Sequence, residues 1–152
     1  MTDPAAFEAL FQSWISDTGC ASAAVMPLCR ENTTSLSKLE YPPSIASDYL
    51  LNSWDLRCDP LIAFPFAKSL IAAAFPFNTL PELPALPVSE FVPFNGIIAG
   101  YAGRQDYHIA GRKMMSSLAN AIVQISNSPV KYKICIDTAP LAERNLAEIS
   151  GL

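Results

Sequence analysis

The stretch DPAAFEALFQSWISDTGCASAAVM, residues 3–26, sets a helix directly before a strand. Asp3 stands where a helix cap belongs and Pro4 suits a first helical turn. Phe7, Leu10, Phe11, Trp14 and Ile15 then recur at the spacing of one helical face. Gly19 ends that helix, and Ala21 to Met26 reads as a short buried strand. Further along, Ser44 to Trp54 reads as helical through Tyr49, Leu50, Leu51 and Trp54, and Leu70 to Phe75 as a central strand. Ile97 to Ala102 is a further apolar strand candidate. The spacing of Tyr107, Gly111, Met114, Leu118, Ala121, Ile122 and Ile125 predicts a longer helix over 105–126, its stripe facing the core. Tyr132 to Ile136 reads as a buried strand with Asp137 at its carboxyl end. A last helix opens near Thr138 or Pro140, carries Leu141, Leu146 and Ile149, and has Gly151 where a C-cap would sit. This alternation predicts one α/β or α+β domain, a layered sandwich with a short central sheet flanked by helices.

Composition bounds the function. The chain has 152 residues, 51% of them hydrophobic and 16% charged, enough apolar side chain to bury a core without metals or disulfides. So charge-poor a surface implies that a partner, a further domain or a ligand covers part of it. The net charge of −4 argues against a free-standing nucleic-acid binder. The start, Met1-Thr-Asp-Pro-Ala-Ala-Phe, has no basic or apolar leader region. The longest apolar runs, Leu61 to Ala67 and Leu70 to Phe77, fall far short of the ~20 residues that cross a bilayer. Cys20, Cys29, Cys58 and Cys135 form no C-x-x-C pair, so neither a zinc nor an iron–sulfur site is expected within this chain. Reduced thiols and the missing leader imply a cytoplasmic protein.

Residues 76–93 carry Pro76, Pro81, Pro84, Pro87 and Pro93, a connection that can be neither regular helix nor interior strand. So long a connection reads as a lid or wall of a site. Two clusters carry chemistry. Tyr101, Arg104, Asp106, Tyr107 and His108 gather phenols, a cation, a carboxylate and the chain's one imidazole where the long helix begins. The plainer alternative is that Asp106 caps the helix, Tyr107 packs inward and His108 sits on the rim. Around Asp137, Thr138, Pro140 and Glu143, an apolar run delivers a carboxylate beside a helix start. Again Asp137 or Thr138 can serve as a cap, and Glu143 can answer the helix dipole. A proton-donating role would need Asp137 partly buried, which raises its pKa, whereas a helix N-terminus lowers it.

The pattern Tyr101…Asp106-Tyr107-His108…Arg112-Lys113…Leu118, followed by Asp137-Thr-Ala-Pro140-Leu-Ala-Glu143-Arg144-Asn-Leu-Ala147-Glu-Ile-Ser-Gly151-Leu152, resembles the N-terminal, cobalamin-binding domain of the epoxyqueuosine reductase family and related iron–sulfur proteins. Weaker similarity extends upstream through Arg57-Cys-Asp59-Pro60 and Lys68-Ser-Leu-Ile71. The resemblance implies a nitroreductase-like cobalamin-binding fold. It implies a cobalamin-dependent oxidoreductase acting at the last step of queuosine synthesis in tRNA, with electrons fed from two 4Fe-4S clusters in a ferredoxin-like domain. Asp137 matches the proton donor of that reaction. Tyr101, Asp106, Tyr107, His108, Thr138, Ala139 and Pro140 match the segments that would hold the corrinoid, through backbone and apolar contacts.

The departures matter too. Gly100 stands where the family has Arg, Arg104-Gln105 replaces Gly-Arg, and Ile109 replaces Lys. Those displaced cations, with the negative net charge, weigh against tRNA as a partner. The chain stops at Gly151-Leu152, inside the second motif and ahead of any cysteine-rich cluster segment. The expectation is therefore the N-terminal fragment of a longer iron–sulfur protein, inactive alone and completed by a downstream ferredoxin-like domain or electron-transfer partner. Two alternatives stay open: a domain that carries a corrinoid or other flat cofactor without catalysis, and a structural accessory domain.

Overall fold

A computed structural model of the chain describes residues 3–33, 36, 48, 52–76, 78, 82 and 99–152. Helix α1 (Pro4–Thr18) begins as its sequence predicts: Asp3 accepts the Ala5 N–H at 3.1 Å, Pro4 occupies the first position, and Gly19 closes the helix at φ 68°. Strand β1 (Ser22–Pro27) follows, then the single turn α2 (Arg30–Thr33). Trp54–Cys58 (α3) and Pro60–Ala63 (α4) are two short helices, the second capped by Asp59 on the Leu61 N–H at 2.9 Å. Most of the helix expected over Ser44 to Trp54 lies outside the described residues; Trp54 opens α3.

Strand β2 (Ser69–Ala74) pairs antiparallel with β1 in the register Ser22↔Ala74 to Pro27↔Ser69, and these two strands are the sheet among the described residues. The period of two gives each face its own core. Ala23, Ile71 and Ala73 point to a cluster built on Phe11, Trp14, Cys20 and Leu118, where α1 meets the long helix α5 (Tyr107–Ile125). Met26 and Leu70 point the other way, to Leu36, Leu141 and Leu146 and to the final helix α6 (Glu143–Ile149). Helix packs on both faces of a small sheet, a mixed α+β architecture. Within the first core, Trp14 donates its indole N–H to the Met114 carbonyl at 3.2 Å and the Ser117 hydroxyl at 3.0 Å, so the burial of its ring leaves no unpaired donor.

Of the other expected strands, one forms, one lies partly outside the described residues and one is irregular. Ala21 to Met26 does form β1, but only Met26 of it is buried. Ile97 and Ile98 lie outside the described residues, and Gly100–Gly103 is a 3₁₀ turn closed by Ala102 N–H to the Ala99 carbonyl. Two glycines in four residues supply little side chain for a strand to pack. Tyr132 to Ile136 is not a strand: residues 131–135 are irregular, and Lys131, Tyr132 and Lys133 are exposed. That segment docks by side chains instead, since a Cβ on Gly111 would meet Ile136 Cδ1 at 2.9 Å. The last helix starts later than expected, at Glu143. It ends in a Schellman motif, with Gly151 at φ 90° and N–H bonds from Gly151 to Glu148 and from Leu152 to Ala147, both 3.0 Å. No helix among the described residues is long and apolar enough to cross a membrane.

Candidate functional site

Asp106 is the N-cap of α5: its Oδ1 accepts the His108 backbone N–H at 2.8 Å and lies 2.9 Å from His108 Nδ1. Both bonds favour the ionised carboxylate, the backbone one most, and hold Asp106 below the ordinary carboxylate range. The Tyr107 ring stacks on the His108 ring, centroids 4.2 Å apart, and meets Tyr101 edge-on at 6.0 Å. The 3₁₀ turn and the first turn of α5 thus present two phenols and an imidazole side by side.

Across from it, the chain makes two successive three-residue turns. Thr138 N–H reaches the Ile136 carbonyl at 2.6 Å around Asp137, whose φ is 58°, and Leu141 N–H reaches the Ala139 carbonyl at 2.8 Å around Pro140. The second suits the fixed φ of proline; the first is the rarer, strained sense, tolerated by Asp better than by most residues. This turn, rather than a strand end, aims the Asp137 side chain at α5. Tyr107 donates its hydroxyl to Asp137 Oδ2 at 2.8 Å, and His108 Nε2 lies 3.9 Å from the same oxygen. Accepting that bond, and carrying its charge, Asp137 pushes the Tyr107 phenol pKa up. The Asp137 side chain is 67% exposed, so these residues alone do not bury it. His108 Nε2 is buried with no hydrogen-bond partner among the described residues.

Five of the expected site residues, Tyr101, Asp106, Tyr107, His108 and Asp137, therefore form one contiguous cluster. Thr138, Ala139 and Pro140 line a neighbouring groove of about 360 Å³, with Phe64 on its apolar side and Arg112 and Lys133 as cations. Cys135 also lines it; burial pushes its thiol pKa up, Glu143 adds to this, and Lys133 and Arg112 oppose it. Arg104 turns away from the cluster, bonding the Asn78 carbonyl at 3.0 Å and Glu82 at 2.9 Å, and so ties the 3₁₀ turn to the start of the Pro-rich connection. The remainder of that connection lies outside the described residues.

Sequence reasoning missed the role of Glu143. Its Oε1 accepts the Asp137 backbone N–H at 2.8 Å. Desolvation pushes the Glu143 pKa up; the Asp137 N–H draws it down, the Asp137 charge raises it, and Arg57 and His108 lower it. Arg57 belongs to the same scaffold: its Nη1 donates to the Leu141 carbonyl at 3.1 Å and its Nε to Ser53 Oγ at 3.1 Å. The signal was a carboxylate six residues beyond a turn-forming Asp, readable as helix-dipole complementarity and nothing more.

Comparison with known proteins identifies the family of the chain. The family described as epoxyqueuosine reductase QueG, DUF1730, matches residues 57–138, more than half of the chain. The chain belongs to that family. The match runs from Arg57 through the α5 cluster to the Asp137 turn, so it contains both halves of the site. An epoxyqueuosine reductase of Staphylococcus aureus (strain NCTC 8325 / PS 47) is 34% identical over 97 residues, covering 64% of this chain and 25% of the relative. The chain thus spans about a quarter of the length of that curated relative. No solved structure matches.

Proposed function

We propose that this chain forms the cofactor- and substrate-facing part of a reductase of the epoxyqueuosine reductase kind, with Asp137 as its proton donor. The observation that carries the proposal is the Asp137 turn: a carboxyl held out on a left-handed backbone, hydrogen-bonded by Tyr107, beside an amphipathic groove. A ligand seated on this face would take the Asp137 carboxyl out of water and bring the reacting group within its reach. Tyr107 would hold the carboxyl in place while the proton leaves from Asp137 to the departing oxygen of the substrate.

Two observations support cobalamin as the ligand. The groove beside Asp137 joins an apolar wall (Phe64, Ala139, Pro140) to two cations and Thr138, the kind of lining that suits a flat ring edged with polar groups. The unpartnered His108 Nε2 is a buried polar atom that a ligand or its bound water would satisfy. Tyr101 from the 3₁₀ turn and Tyr107 and His108 from α5 would pack against such a ring, with Thr138 to Pro140 on the opposite turn. When bound, cobalamin supplies the reducing chemistry at cobalt. The iron–sulfur clusters and the ferredoxin-like electron path belong, in this proposal, to protein outside these residues, which is consistent with the quarter-length match. The chain by itself is then a binding domain without turnover, and tRNA would be recognised in large part elsewhere.

The exposure of Asp137 favours one other reading, a domain that carries a flat cofactor without catalysis. Changing Asp137→Asn in the longer protein that contains this segment separates the two. Loss of reduction with cob(II)alamin still bound supports proton donation; reduction at the unaltered rate supports the carrier.

A further inference from the structure

We infer that Glu143 is the positioning residue for Asp137: its carboxylate, by accepting the Asp137 N–H, holds that residue in the left-handed turn from which its side chain meets Tyr107. The inference rests on Asp137 being the proton donor, and deepens that proposal.

Three observations carry it. First, Asp137 is the one non-glycine residue with positive φ among the described residues, a conformation that persists only where its surroundings enforce it. The 2.6 Å closure of the turn uses the Thr138 N–H and the Ile136 carbonyl. The Asp137 N–H is directed elsewhere, to Glu143 Oε1 at 2.8 Å. Second, Glu143 is the first residue of α6, where a carboxylate ordinarily serves its own helix. Here Ala142 is the N-cap and offers no side-chain bond, yet Glu143 reaches back six residues to the turn. Third, the two carboxyls are tied in one chain of contacts, from Glu143 to the Asp137 backbone and from the Asp137 side chain to Tyr107. Loss of the first contact therefore transmits to the second.

The charged groups that act on Glu143 come from three elements: Asp137 from the turn, Arg57 from α3 and His108 from α5, with Cys135 also coupled to it. The desolvation of Glu143 makes its protonation a usable probe, because the Asp137 amide proton must follow the charge of the group it binds.

The test uses the 152-residue chain. In the unaltered protein the Asp137 amide resonance moves with the Glu143 titration. In Glu143→Gln it stays hydrogen-bonded but no longer follows it. In Glu143→Ala it shifts upfield and exchanges with solvent at least about tenfold faster, the scale of a lost charge-assisted hydrogen bond. The Tyr107 phenol then titrates lower in Glu143→Ala and is restored in Glu143→Gln. An unchanged Trp14 indole resonance shows the core intact. An Asp137 amide that ignores Glu143 titration in the unaltered protein overturns the inference without any variant. A Tyr107 titration equal in Glu143→Ala and unaltered protein also overturns it. In the longer protein, a lowered kcat with unaltered KM in Glu143→Ala, rescued by Glu143→Gln, supports positioning for catalysis. Amide and phenol effects with full reductase activity keep the positioning contact and refute Asp137 as the donor.

Discussion

Tyr107 and Asp137 meet through a single hydroxyl hydrogen at 2.8 Å, and each sets what the other can do. The carboxylate accepts a hydrogen bond from the phenol O–H and repels the phenolate, so it stabilises the neutral phenol on both counts. Asp137→Asn removes the charge and must bring the Tyr107 pKa down; phenolate absorbance against pH measures it, and an unmoved midpoint refutes the contact. Glu143 behaves in the opposite sense to most carboxylates. Its folded-state pKa lies above the unfolded value of 4.5, so its stabilisation is fully present below that value and is lost as pH rises through the folded pKa. Glu143→Gln, always neutral and still an acceptor, should therefore gain melting temperature relative to the unaltered protein at pH 7 and lose that gain near pH 4. A gain of about 2 °C is the expected scale for a partly solvated group in a chain this long. The reverse trend would mean that the Asp137 N–H, Arg57 and His108 outweigh desolvation and favour the ionised carboxylate.

At the level of elements, α5 and the 134–138 segment are locked by absence of a side chain. A methyl at Gly111 would sit 2.9 Å from Ile136 Cδ1, the flexible end of its side chain. Replacing a helical glycine by alanine contributes about 1 kcal/mol of helix propensity. Displacing one terminal methyl costs a similar amount, so Gly111→Ala should change stability by less than ~1 kcal/mol while visibly shifting the Asp137 and Tyr107 resonances. Stability lost by several kcal/mol would show Ile136 unable to give way. The three longest helices among the described residues were legible from sequence because their signals are local: Asp3, Pro4 and Gly19 for α1, Asp106 for α5, Gly151 after α6. The run Tyr132 to Ile136 misled because alternation and apolar side chains report burial, not a ladder partner. The residues of the site cluster were legible as types gathered by a motif. Their geometry was not, since a positive φ at an aspartate and a six-residue reach by Glu143 leave no periodic trace.

Over the whole molecule, the two-stranded sheet separates a core shared by α1 and α5 from one shared by α6 and the double turn. Leu118, 1% exposed, sits in the first, where α5 is fastened to α1. Leu118→Ala should cost about 3 kcal/mol, and roughly 6–12 °C in melting temperature for a chain of this size. A loss under about 1 kcal/mol would mean that this core is loosely packed. The second core carries Leu141 and Leu146, which brace the turn bearing Asp137, so the site stands where α5 and the far-side layer meet. The chain's family is epoxyqueuosine reductase QueG, DUF1730, and the proposed flat corrinoid beside Asp137 is what must be demonstrated. Cob(II)alamin is to be titrated into the 152-residue chain while its visible spectrum is followed. A saturable spectral change that survives Asp137→Asn is the expected result; an unaltered spectrum at excess corrinoid would contradict the proposed binding face.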